Sequence, residues 1–88
     1  MKQRYLEVTF RKGKPLAAYL YLPRPSQAKV ARTADVGNGL IVDFDVSEAA
    51  IGIEITAPSI VTIGQLNAVL DSLGLARVEE VEWAPLAA

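Results

Sequence analysis

The sequence predicts an α+β fold: an antiparallel meander sheet of about five strands, with one C-terminal amphipathic helix packed on its apolar face. Apolar residues alternate with period two up to about residue 55, which is typical of half-buried strands. The apolar spacing then becomes helical between about residues 62 and 73. Because one helix covers only one side of such a sheet, we expect the other side to lie open.

The length and composition indicate one folded domain. Hydrophobic residue types make up 51% of the 88 residues and charged types 22%, which argues against a disordered chain. No linker, internal repeat or low-complexity segment divides the sequence. We therefore predict a single domain over residues 1–88, with the sheet over about 4–56, the helix over about 62–73 and a short C-terminal segment over 75–88.

The missing residue types exclude several kinds of chemistry. The chain contains no Cys and no His, so it forms no disulfide, thiol nucleophile or His-based triad, and nearly all zinc sites are excluded. It has no phosphate-binding Gly-rich loop followed by Lys and Ser or Thr, and no G-x-S-x-G motif. The sequence thus predicts a non-enzymatic protein without a cofactor. It also lacks an apolar run of ~20 residues and a signal-peptide pattern at its N-terminus, so we expect a cytoplasmic protein with no membrane contact.

The first two strands are predicted over residues 4–10 and 16–22, on either side of a turn at residues 11–15. Gly13 suits the positive φ of that turn, and Pro15 is expected to break the ladder of hydrogen bonds. The prolines at positions 23 and 25 end the second strand. The residues expected on the apolar face are Leu6, Val8, Phe10, Leu16, Ala18, Leu20 and Leu22.

Three further strands follow. Residues 28–34 form a weaker strand with blurred alternation, residues 37–39 a turn, and residues 40–45 and 51–55 the last two strands. A hairpin that keeps both apolar sets on one side must pair residues whose numbers sum to an odd value. The pairs that we predict are Asp45 with Ala50, Asp43 with Gly52 and Ile41 with Glu54.

The helix has sequence signals at both ends. Thr62 is a suitable N-cap, Gln65 completes a capping box, and Val61 and Leu66 occupy the hydrophobic-staple positions. Gly74 lies where a C′ glycine ends a helix. For residues 76–84 the pattern fits either an edge strand or a helical turn, and from Pro85 onward we expect a frayed tail.

The face of the sheet away from the helix is the candidate interaction surface. It is expected to carry Tyr5, Tyr19, Tyr21 and Ile41, and tyrosine is favoured where a surface becomes an interface. We predict that this face forms a homodimer or binds another small protein. Two alternatives are scattered surface aromatics without a role and a platform for a ligand.

Three acids on the same face form the one candidate metal site. Asp43 and Asp45 are same-face neighbours about 7 Å apart by strand rise, and Glu54 lies on the adjacent strand. Together they could bind a divalent cation such as Mg²⁺ or Ca²⁺, or a small cationic ligand. The alternative is that these carboxylates are solvated or paired with bases on neighbouring strands.

Charge is divided unevenly along the chain. Residues 1–34 contain eight basic residues and one acid, which gives +7, whereas residues 35–88 contain one base and nine acids, which gives −8. The two halves could neutralise each other within one sheet or between subunits. A basic face for nucleic acid is the least favoured explanation, because neighbouring acids would repel phosphate.

The stretch from Asp43 to Ile55, DFDVSEAAIGIEI, resembles the hairpin D-Y-D-x-x-G-x-V-V-G-I-E-I of a family of small prokaryotic proteins, domain of unknown function twenty-two eighty-three. Residues 16–22 are similar to the family's D-A-L-Y-I-x-L strand, and Ala57 and Ser59 to the A-S after the hairpin. The resemblance implies a cytosolic, single-domain, β-rich protein without an established activity. Leu16 replaces the family's Asp, so a site using that Asp would be incomplete here. Glu48 replaces its Gly, so we expect a turn conformation that an L-residue tolerates.

Overall fold

A computed structural model describes residues 3–24 and 28–86, and it confirms the α+β fold. Positions 25 and 26 of the predicted strand end and positions 87 and 88 of the predicted tail lie outside the described residues. One five-stranded antiparallel sheet is followed by helices. The strands are β1 (Tyr5–Arg11), β2 (Lys14–Tyr21), β3 (Arg32–Gly37), β4 (Leu40–Phe44) and β5 (Ala50–Ile55), and the helices are α1 (Ile63–Ser72), α2 (Glu80–Trp83) and a 3₁₀ turn (Ala84–Leu86).

The strand order is β1-β2-β5-β4-β3. A hairpin of β1 and β2 and a meander of β3, β4 and β5 are joined because β5 pairs with β2. A strictly sequential meander would place β3 beside β2, but β3 forms an edge of this sheet. The central position of β5 brings side chains of β2 and β4 close to each other.

The first hairpin differs from its prediction at the turn. Only Lys12 and Gly13 form it, both with positive φ, and Pro15 lies in β2 opposite Phe10. The ladder tolerates this proline because the register shifts between Thr9 and Phe10. Phe10 and Leu16 were expected on the buried face, but each is 51% exposed, since this end of the hairpin extends past the core.

The third strand begins four residues later than predicted, at Arg32 instead of residue 28. It also includes Gly37, so that the turn consists of Asn38 and Gly39 alone, both with positive φ as a two-residue hairpin requires. The bounds of this strand could not be predicted from the sequence, because an edge strand with exposed residues on both sides has no regular apolar pattern.

The hairpin of β4 and β5 confirms two of the three predicted pairs, Asp43 with Gly52 and Ile41 with Glu54. The third is wrong, because Ala50 pairs with Phe44 after a register shift. At the turn, Glu48 has a φ of +66°, which lies in the left-handed region that glycine prefers. The turn therefore does not adopt the conformation more favourable to an L-residue that we expected at this position. The Glu48 side chain pairs with Arg32.

Helix α1 confirms its sequence signals. Thr62 caps the helix and forms the capping box with Gln65, and Leu66 is buried on the sheet. At the other end, the Leu75 amide donates to the Leu70 carbonyl across Gly74, which is the Schellman arrangement.

The C-terminal segment is helical, which decides between the two predicted alternatives. Glu79 and Glu82 form a capping box at the start of α2. The tail is not frayed up to Leu86, which is buried in the core. The Arg4 guanidinium holds the segment against β1, donating to the carbonyls of Ala76 and Arg77 and to the Glu82 carboxylate.

The core lies between one face of the sheet, called the inner face, and the helices. Leu20, Leu40, Ile53 and Ile55 of the sheet pack there with residues of α1 and the C-terminal segment. None of the described helices is both long and apolar enough to cross a membrane.

Candidate functional site on the outer sheet face

The opposite face of the sheet, called the outer face, is organised in rows that run across the strands. One row contains Tyr5, Tyr21, Gly52, Asp43 and Thr33. The next row contains Glu7, Tyr19, Glu54, Ile41 and Asp35. The four predicted interface residues Tyr5, Tyr19, Tyr21 and Ile41, called the tyrosine face below, therefore occupy two adjacent rows, as the alternation predicted.

The three tyrosine rings form one continuous strip over β1 and β2. The rings of Tyr5 and Tyr21 are stacked with their centroids 4.5 Å apart, and Tyr19 meets Tyr21 edge to face at 4.7 Å. The guanidinium of Arg24 lies 5.1 Å from the centre of the Tyr21 ring, a cation–π distance. Aromatic pairs in these geometries stabilise each other by about 0.5–1.5 kcal/mol, so the three rings hold one another in fixed positions.

Tyr19 crosses the central strand to reach Asp43. Its hydroxyl donates to Asp43 Oδ2 at 2.6 Å, and it passes over Gly52 of β5. A Cβ at position 52 would overlap the Tyr19 ring and hydroxyl, so glycine is required for this ring position. Burial, reinforced by the hydrogen bond and the negative charge of Asp43, raises the pKa of Tyr19 well above its ordinary value.

Tyr21 makes a weaker polar contact. Its hydroxyl lies 3.3 Å from Glu7 Oε1, to which it donates. Desolvation is the first cause that raises the pKa of Tyr21, and the negative charge of Glu7 is the second. Both half-buried tyrosines therefore stay neutral at physiological pH, and each directs its hydroxyl to a carboxylate.

The rest of the outer face is acidic. Glu7, Glu54 and Asp35 are exposed in one row, and Asp43 lies in the next. Within the described residues, the Glu54 carboxylate forms no ion pair. Beside it lies a shallow depression of about 170 Å³ whose lining residues are Glu7, Thr9, Ala17, Ala18, Tyr19 and Glu54.

The structure does not bring the three acids predicted as a metal site together, and two of them are occupied by other groups. Asp43 is buried and accepts from Tyr19, whereas Asp45 Oδ1 accepts from the amides of Ser47 and Ala49 in the hairpin turn. Glu54 lies exposed one strand away from Asp43. Among residues 3–24 and 28–86, no three potential ligands come close enough to hold a metal ion.

Ion pairs within the subunit neutralise only part of the charge difference between the two halves of the chain. In the described part of the chain, Arg4 pairs with Glu82 and Arg32 with Glu48, each joining the basic to the acidic half. The third pair, Arg77 with Asp71, lies inside the acidic half.

A second concave region lies on the inner side, between β1 and the C-terminal segment. It is a cavity of about 240 Å³, and Arg4 and Glu82 line it together with apolar side chains that include Leu20, Leu66 and Trp83. The two charged groups bind each other, so among the described residues that line the cavity none presents a free ionic group.

Two features of the site were not predicted. The bond from Tyr19 to Asp43 joins residues on strands that are not neighbours, and it depends on the position of β5 between β2 and β4. The signal that could have revealed it is Gly52, since a glycine inside a strand often marks the close approach of another group. The acidic row around Glu54 was also not predicted, because Glu7 and Asp35 lie on the two edge strands and share a row with Glu54 only through the strand order and register.

Comparison with known proteins supports the family resemblance. Residues 17–58 match the model of a family described as Protein of unknown function (DUF2283), and the matched segment runs from β2 to the loop after β5. Searches of the curated proteins and of the solved structures gave no match. The matched segment includes Tyr19, Asp43 and Gly52, whereas Tyr5 and both helices lie outside it.

Proposed function

We propose that this chain, whose residues 17–58 match the model of the DUF2283 family, is a non-enzymatic protein-interaction module that associates through the tyrosine face. We expect a second copy of the chain as its partner. The observation that supports this most strongly is the strip of three packed tyrosine rings, 4.5 and 4.7 Å apart, on the side of the sheet opposite the core.

The composition of the strip suits binding. Tyrosine combines a large apolar ring with a polar hydroxyl, and it has only two side-chain torsions to fix when it is buried. Tyr5 is 50% exposed, so it still has ring surface to bury against a partner. Residues that dominate protein interfaces are commonly of this type.

The strip is also held in place before any partner binds. Tyr19 is fixed by Asp43 and by the absence of a side chain at Gly52, and Tyr21 lies between two rings and under Arg24. A rigid surface loses less conformational entropy on association than a mobile one, which favours binding.

The solution mass, measured by light scattering on a sizing column, tests the proposal. We expect the wild-type protein to be larger than a 9.5 kDa monomer and Tyr21→Asp to be monomeric, because the substitution removes the middle ring of the strip from the contact. The matched control is Val81→Asp, which places the same charge on an exposed position of α2. Tyr5→Ser serves as a milder second variant, with circular dichroism to show that each variant is folded.

A wild-type protein that is monomeric at all concentrations would contradict self-association. Equal loss of association in Tyr21→Asp and Val81→Asp would show that the tyrosine face is not the specific contact.

A further inference from the structure

The acids of the outer face bear on how two copies can meet. Glu54 lies on β5, the central strand, and Glu7 and Asp35 lie in the same row on the two edge strands. If the tyrosine face met its own two-fold mate, this row would approach a second acidic row. Like charges brought together in an interface are unfavourable, so this face fits a basic partner surface better than its own copy.

A surface of that kind exists at the end of the first hairpin. Arg11, Lys12 and Lys14, called the basic turn below, are all exposed, and none of them forms an ion pair within the described residues. Exposed Phe10 and Leu16 flank the turn. The end of the hairpin thus combines positive charge with apolar surface, and the outer face combines negative charge with aromatic surface.

The basic turn cannot reach the outer face of its own subunit. Its two strands stay paired up to Arg11 and Lys14, and only Lys12 and Gly13 lie between them. So short a turn on a paired ladder extends the sheet in its own plane and cannot fold back over the face. The two complementary surfaces can therefore meet only between different copies.

We propose that the basic turn of one copy docks on the outer face of another, where the acids Glu54 and Glu7 lie in the same row as Tyr19 and Ile41 of the tyrosine face, with Lys12 and its neighbours near Glu54 and Glu7. This inference rests on the proposed function, because it uses the tyrosine face as the binding surface. It adds that the contact joins two different surfaces, the basic turn and the outer face. Because each copy carries both surfaces, two copies can form a symmetric dimer in which each turn binds the other copy's face. Such a contact weakens as the salt concentration rises.

Two charge reversals test the inference by complementation. Lys12→Glu places a negative charge in the turn and leaves the face unchanged, and Glu54→Lys places a positive charge on the face and leaves the turn unchanged. Each variant alone brings like charges together at positions 12 and 54, so we expect its dissociation constant to rise at least about tenfold relative to the wild type. An equimolar mixture brings opposite charges together at both contacts, and we expect it to associate like the wild type. Glu80→Lys, an exposed reversal on α2, is the control.

The outcomes separate this inference from the proposed function. If Tyr21→Asp abolishes association but Lys12→Glu does not weaken it, the tyrosine face is the interface and the docking of the basic turn is wrong. Two variants that are weakened alone and remain apart in the mixture would also overturn the docking. A wild-type monomer would contradict both proposals.

Discussion

The two faces of the sheet are built with the same period-two alternation, but they differ in what covers them. On the inner face Leu20 and Ile53 are at most 2% exposed, because α1 and the C-terminal segment pack on them. On the outer face Tyr5 is 50% exposed, and its neighbours are tyrosines and carboxylates. Alternation alone thus divides a strand into two faces. The residue types on each face then indicate which of the two is covered by the chain's own helices.

The largest effect on stability is expected on the inner face. Ile53→Ala removes a fully buried side chain from the central strand and should lower the free energy of unfolding by about 3 kcal/mol. Urea denaturation measures this change. Ile41→Ala on the outer face is the comparison, and it should cost clearly less because Ile41 is only half-buried. Equal losses for the two variants would mean that the faces do not differ as described.

The next largest loss of stability is expected where the Arg4 side chain joins the start of the sheet to the C-terminal segment. Arg4→Met removes the hydrogen bonds to Ala76, Arg77 and Glu82, and we expect a loss of about 2 kcal/mol in the free energy of unfolding. Arg77→Met, which breaks an exposed pair with Asp71, should leave stability almost unchanged.

The contact between Arg4 and Glu82 also predicts that the stability of the protein depends on pH. The hydrogen bonds from Arg4 are the first cause that lowers the pKa of Glu82, and the Glu79 backbone amide is the second. A lowered pKa stabilises the folded state above the ordinary Glu pKa, and this stabilisation is lost as the pH falls through the lowered value. Stability measured from pH 6 to pH 3 should therefore fall less steeply in Arg4→Met than in the wild type. Parallel curves would contradict the role assigned to Glu82.

A smaller effect is expected at the partly buried hydrogen bond from Tyr19 to Asp43 on the outer face. Tyr19→Phe leaves Asp43 without the donor at 2.6 Å, and we expect a loss of about 1.5 kcal/mol at neutral pH. Because burial raises the pKa of Tyr19, the wild-type protein should also lose stability as the pH rises above about 10, where the unfolded chain releases this proton and the folded chain keeps it. In Tyr19→Phe that alkaline loss should shrink, and an unchanged alkaline curve would argue against it.

The smallest effect on stability should accompany a severalfold effect on association. Tyr5→Ser removes a half-exposed ring from one end of the strip and should cost only about 0.5 kcal/mol in unfolding free energy through the lost stacking on Tyr21. If the tyrosine face binds a partner, the same variant should weaken association severalfold in light scattering. A variant with unchanged association would place the contact elsewhere.

Much of the fold was predictable from local signals. The N-cap at Thr62, the C′ position of Gly74 and the pairing of Asp43 with Gly52 each depend on residues close in sequence, and the structure confirms all three. The order of the strands depends on which strand joins β2 at long range, and nothing in the alternation specifies that β5 takes this place. Register shifts were also missed, as at Phe44, because one extra residue in a strand leaves the composition of the pattern almost unchanged.

The candidate site was predictable to the same extent. The four residues of the tyrosine face share a parity that the sequence shows directly, so their common surface could be predicted. The separation of Asp43, Asp45 and Glu54 could not, because it depends on side-chain partners: a tyrosine from β2 for the first and turn amides for the second.

The most direct test of the central claim is a dilution series followed by nuclear magnetic resonance. If the outer face binds and the inner face only supports the fold, the ring signals of Tyr5 and Tyr21 and the amide of Glu54 should shift with protein concentration. The methyl signals of Ile53 and Leu66 should remain fixed over the same range, because they lie in the core. Shifts confined to α1 and α2, or no concentration dependence for any residue, would contradict the account.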